Sequence, residues 1–161
     1  MKRPDPHRPA DPEAIRTARQ ILDAARDAVL TVLDEDGWPM TSRIALQTDA
    51  AGQPLALLSG LALHSAALLR DPRAALLIDR APGDGPHGSA LARPRLSLQV
   101  DARPAAGSDA DALRIAWRAR DPKSAVYLQL PDFRFWRLAV RRGMLNAGFG
   151  RAYLLGPQDI A

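Results

Sequence analysis

The side chains best suited to hold an anion in this chain are Ser42, Arg43, Ser59, His64 and Ser65. Arg43 follows Ser42 inside Ser42-Arg43-Ile44-Ala45-Leu46, a segment that otherwise reads as core strand. An arginine there must face solvent, a subunit interface or an anion. Its planar fork of donors suits a phosphate. An outer-face arginine in water explains it equally well. His64-Ser65 opens a short predicted helix, and a helix N-terminus offers free N–H groups and a positive dipole end. Ser59 closes the preceding strand and can reach the same volume. Capping by Ser65, with His64 at the surface, is the competing explanation. A second constellation is Gly148-Phe149-Gly150-Arg151. It is no dinucleotide fingerprint, because the third glycine and a strand-to-helix crossover are missing. Its glycines let a turn pass close to another backbone or a ring, or simply make a tight turn.

Much other chemistry is set aside by what the chain lacks. There is no cysteine among the 161 residues, so disulfides and thiolate metal sites are impossible. His7, His64 and His87 are scattered, and no metal site is expected. No nucleophile elbow or phosphate-binding Walker loop occurs. Asp34, Glu35 and Asp36 cluster in a turn, where solvation explains them. Nothing nominates a paired general acid and base, so the catalytic residues stay unassigned. The net charge of +4 invites a nucleic-acid reading. The arginines, however, are dispersed and interleaved with acids, and no aromatics alternate with a basic run. Nucleic acid is not expected as a partner. Met1 to Pro12 lacks an apolar signal core, and no apolar run approaches about 18 residues. The expectation is a cytoplasmic protein that does not span a membrane.

These residues need elements to position them. Residues 1–10 read as a flexible arm, and 11–161 as one domain. Asp11-Pro12-Glu13 starts a helix, with Ile15, Ala18, Leu22 and Ala25 at helical spacing. Val29 to Leu33 and Trp38 to Gln47 form a hairpin about Asp34-Glu35-Asp36-Gly37. Leu55 to Leu58 is a third strand and residues 62–70 a short helix. Ala74 to Ile78 is a fourth strand, apolar enough for burial on both faces. Residues 81–94 form a glycine- and proline-rich loop. Arg95 to Ala102 alternates as a half-buried strand. Ser108 starts a helix to about Ala119, and a second helical turn follows Asp121-Pro122. Phe133 to Val140 and Met144 to Phe149 are read as two strands. About seven strands without a repeating strand–helix–strand unit predict a mainly β (α+β) fold, an antiparallel split β-barrel with flanking helices.

In this order the segments resemble the pyridoxamine 5′-phosphate oxidase-like FMN-binding split-barrel superfamily, above all its heme-utilisation (HugZ-type) branch. The resemblance runs from about Ala18 to Leu155 and rests on several segments together. These are Ser42-Arg43, Ser59 with His64-Ser65, Asp71-Pro72-Arg73, Pro94-Arg95-Leu96-Ser97-Leu98, Asp132-Phe133 and Gly148-Phe149-Gly150-Arg151-Ala152. It implies FMN held through Ser42, Arg43, Ser59, His64 and Ser65 at the interface of a homodimer, serving a redox reaction on a small substrate. Ala66 and Ala67 stand where the branch often carries Arg-Asn, which removes a cation and an amide from the implied phosphate site. The Ser-Arg-Lys and Arg-Leu-His-Asp-Arg segments of the pyridoxamine oxidases proper are absent, which argues against that reaction. Those departures motivate an alternative, a heme-binding protein of the same fold, with His64 and His87 as candidate axial ligands.

Overall fold

The computed structural model describes residues 7–79 and 90–160. Its strands are β1 (His7–Pro9), β2 (Asp27–Leu33), β3 (Pro39–Thr48), β4 (Pro54–Ser59), β5 (Arg73–Asp79), β6 (Arg95–Pro104), β7 (Phe133–Asn146) and β8 (Ala152–Leu155). Its helices are α1 (Pro12–Ala24), α2 (Leu63–Arg70), α3 (Ala110–Arg120), α4 (Ala125–Leu128) and α5 (Pro157–Ile160). The sheet order is β1-β8-β7-β4-β3-β2-β5-β6, and β6 returns to pair with β7. The strands from β7 round to β6 thus close an antiparallel barrel, from which β8 and β1 extend as a side flap. β1 lies parallel to β8, with His7 opposite Ala152. The expected split barrel is the observed fold. No helix among the described residues is long and apolar enough to cross a membrane.

The barrel interior follows from strand alternation. Leu30, Leu46, Leu76, Leu96, Leu98 and Leu138 are buried in it together with Ala18 and Leu22 of α1. The start of α1 is as expected: the Asp11 carboxylate accepts from the Ala14 N–H at 2.8 Å. A smaller apolar cluster forms outside the barrel, where α3 and α4 cover β4 and β7. There Trp117 lies 5.6 Å from Phe135, centroid to centroid, among Leu55, Leu57 and Leu128.

Four expectations change. Residues 7–9, placed in the flexible arm, form β1; residues 1–6 lie outside the described residues. The strand buried on both faces is β4, covered by α3 and α4. β5, by contrast, buries Leu76 and Ile78 and turns Leu77 outward, 38% exposed. The two C-terminal strands are one: β7 runs through Arg141-Arg142-Gly143, where Gln99 pairs with Arg142 but Val100 with Val140. Arg141 is the extra residue of a β-bulge. It shifts the buried face from Trp136, Leu138 and Val140 to Gly143 and Leu145. The last strand is β8, beyond the glycines. Of the expected 81–94 loop, 81–89 lie outside the described residues, and Ala90–Ala92 form a 3₁₀ turn.

Candidate functional site

β3, β4 and α2 bring four of the five anion-site residues together. Ser42 sits on the inward row of β3, opposite Leu30 of β2. Its Oγ lies 3.0 Å from Nδ1 of His64, in the first turn of α2. Nε2 of His64 is buried and has no hydrogen-bond partner among the described residues. Burial pushes this imidazole below its usual pKa range, so the ring is neutral near pH 7. Ser65 does not cap α2; it is buried and donates to the Ser59 carbonyl at 2.7 Å. Ser59 Oγ donates to Oδ2 of Asp132 at 2.5 Å. Asp132 also accepts the Gly60 N–H at its carbonyl, 2.7 Å away. The hydroxyls of Ser59 and Ser65 are thus spent on ordering the β4–α2 turn. Ala67 is buried in the main core while Ala66 is exposed, so only Ala66 has room for the longer side chain the branch carries.

Arg43 is not part of this group. Successive strand residues point to opposite faces, so Ser42 and Arg43 cannot share one volume. Arg43 turns outward, 74% exposed, and pairs with Asp27 of β2 at 2.8 Å. It lines a cleft of about 840 Å³ between α1 and the outer faces of β2, β3 and β5. Ile21, Val29 and Leu77 give this cleft apolar walls, and Arg26, Arg43, Arg93 and Arg120 give it cations. Arg120 clasps its α1 end, donating to Oδ1 of Asp23 at 2.9 Å and to Thr48 Oγ1 at 2.6 Å. The Thr48 hydroxyl, followed by Arg120, holds the Asp23 carboxyl below the usual carboxylate range. Arg26 donates to the Ala25 and Asp23 carbonyls, and Arg93 forms no ion pair among the described residues. The cleft therefore combines apolar walls with four guanidinium groups and the carboxylates of Asp23, Asp27 and Asp79. Arg43 and Arg120 are paired with Asp27 and Asp23, which leaves Arg26 and Arg93, without an ion pair among the described residues, as the cations open to a negative group of a ligand.

Sequence reasoning named Asp132 only within the resemblance and gave it no place in the site, and it missed Asp27, Arg26, Arg93 and Arg120. Asp27 was within reach. Counting back from the Asp34–Trp38 turn places Val29 opposite Arg43 and Asp27 two residues further along the same face. Arg93 and Arg120 come from distant segments, and no local pattern marks them.

No family model matches the chain. A protein related to general stress protein 26, of the pyridoxinephosphate oxidase family, from Clostridium acetobutylicum shares the fold. Its TM-score is 0.70 at 10% identity, covering 94% of this chain and all of that one. A heme binding protein from Mycobacterium smegmatis superposes with a TM-score of 0.82 and 26% identity, covering 94% of this chain and 61% of that one. The chain has the split-barrel fold of the pyridoxamine 5′-phosphate oxidase-like proteins. The chain's likenesses in sequence include proteins whose names concern heme. The chain is 30% identical over 142 residues to the non-canonical heme oxygenase HOZ, chloroplastic, of Arabidopsis thaliana. That match takes in 87% of the split-barrel chain but only 42% of the length of the curated relative.

Proposed function

We propose that this split-barrel protein binds heme, with the cleft beside α1 as the heme site. The observation that carries the reading is the 30% identity, over 87% of the chain, to a protein named a heme oxygenase. The cleft supports it. Its volume of about 840 Å³ falls within the range of ligand pockets. Ile21, Val29 and Leu77 suit the faces of a macrocycle, and Arg26 and Arg93 suit its propionates. No described residue lining the cleft is a histidine. Of the two imidazole candidates, His64 is held by Ser42 with its Nε2 buried. That leaves His87, outside the described residues, as the one whose replacement tests ligation. Heme would supply iron and its redox chemistry; the chain supplies shape and charge.

FMN on the Ser42, Ser59, His64 and Ser65 group is the second reading, serving electron transfer to a small substrate. Nε2 of His64 in the first turn of α2, without a partner among the described residues, favours it, since a phosphate oxygen could accept there. Separate titrations with hemin and FMN tell the readings apart. The heme reading expects a Soret shift, lost in His87→Ala, and no quenching of FMN fluorescence. Flavin quenching without a Soret shift overturns it in favour of FMN.

The same reading includes a two-fold homodimer. β5 turns Leu77 outward, and a groove of about 350 Å³ runs over Thr31, Leu33 and Ala75 on the outer sheet face. A closed two-fold interface is the commonest cover for such a face. Sedimentation at micromolar concentration tests it, and a monomer alone speaks against it.

A further inference from the structure

Phe149 is 93% exposed, the most exposed of the large apolar side chains described. A phenyl ring in water is unfavourable, and nothing in the fold gains from holding it there. Its backbone is unusual in the same place. Gly148 and Gly150 on either side have φ of +118° and +72°, conformations that glycine adopts freely and other residues rarely do. The turn they make is closed by hydrogen bonds from Ala147 N–H to the Arg151 carbonyl and from Arg151 N–H to the Gly148 carbonyl. The ring is thus mounted on a defined hairpin tip between β7 and β8.

Two independent contacts fix where that tip lies. A Cβ on Gly148 would come 3.4 Å from the Ala92 carbonyl, and the next residue, Arg93, lines the cleft. On the other side, Arg151 pairs with Glu13 at 3.4 Å. Glu13 begins the row Glu13, Thr17, Gln20 and Ala24 on one face of α1, and the last three of these line the cleft. The tip therefore sits beside the cleft's rim, between the first turn of α1 and the turn that carries Arg93, one residue or one helical turn away from side chains that line it.

We infer that Phe149 extends this cleft at its rim and supplies an aromatic face on which a flat conjugated ligand stacks. The inference rests on the heme reading above and deepens it. The arginines set which anionic groups are accepted, and Phe149 sets that the ligand must present a ring. Aromatic side chains prefer offset or tilted stacking on other rings and add attraction beyond the area they bury. A contact of this kind acts on the macrocycle, not on the metal.

The test is titration of wild type, Phe149→Ala, Phe149→Leu and Phe149→Tyr with hemin and, separately, with metal-free protoporphyrin IX. Because Phe149 is exposed, all four proteins are expected to share one urea midpoint. Phe149→Ala should weaken both ligands about tenfold, or about 1.4 kcal/mol. Phe149→Tyr should restore binding, and Phe149→Leu should not. Loss confined to hemin would overturn the stacking role, because protoporphyrin IX offers the same ring without iron. Equal affinities of wild type and Phe149→Ala overturn the inference while leaving the heme reading in place. Loss of binding together with a change in sedimentation also overturns it, by assigning Phe149 to a subunit interface. Failure of wild type to bind either porphyrin removes the heme reading and this inference with it.

Discussion

His64 and Arg43 differ in how their surroundings set their value to the protein. His64 sits half-buried against Ser42, and burial disfavours its charged form. In the unfolded chain its pKa returns to about 6.5. The folded state therefore binds fewer protons than the unfolded one as pH falls below that value. Stability is intact above about pH 6.5 and is lost as the unfolded chain takes up its proton. Urea midpoints measured between pH 7.5 and 5.5 should fall in wild type and fall less in His64→Gln. A parallel slope in the two proteins would place the titrating group elsewhere. Arg43 and Asp27 form an ion pair with side chains 74% and 57% exposed, a setting in which pairs contribute about 0–1 kcal/mol. Arg43→Ala should therefore change folding stability by less than about 1 kcal/mol. A loss of several kcal/mol in urea melts would show that the pair holds β2 to β3 instead.

Elements were legible in the sequence where one local signal decided them, and hidden where two competed. α1 declared itself through Asp11-Pro12-Glu13 and its apolar spacing. The β2–β3 hairpin declared itself through Asp34 to Gly37. β7 did not, because Arg141-Arg142-Gly143 looks like a turn: two charges and a glycine interrupt the alternation. The structure uses them as a bulge, so the alternation resumes one residue out of phase. Gly143 is required there. A Cβ at this position would lie 2.9 Å from Leu98 Cδ2 and 3.3 Å from Leu155 Cβ. Gly143→Ala should cost about 1–3 kcal/mol, the usual penalty for overpacking a core. An unchanged thermal midpoint would mean that the bulge can absorb a methyl group. The outer face of β4 was opaque for another reason. Leu55 and Leu57 are buried only because α3 brings Trp117 over them from a distant part of the chain. Trp117→Ala should cost about 3–5 kcal/mol and loosen α3 before the barrel, which amide hydrogen exchange resolved by residue would register.

At the scale of the whole molecule, the anion-site residues were readable as a set but not as a place. Ser42, Ser59, His64 and Ser65 come together because β3, β4 and α2 are consecutive. The cleft assembles from α1, β2, β3, β5 and the turn before β6, and so needs the closed barrel to exist. The same closure governs how the chain can fold. β2, β3 and β4 are joined by short turns and can pair as soon as they are made. β1 cannot: its partner β8 lies across the sequence, with His7 waiting for Ala152. Pairings so distant in sequence must overcome a large loop-closure entropy before they return anything, and they form late. The side flap should therefore be the slowest part of the molecule to appear. In pulse-labelled refolding, amides of β2 and β3 should gain protection before those of β8. Simultaneous protection would mean that barrel and flap form in one cooperative step. On a ribosome the order is stricter still: β1 is synthesised well before β8, and it stays without its strand partner until β8 has emerged.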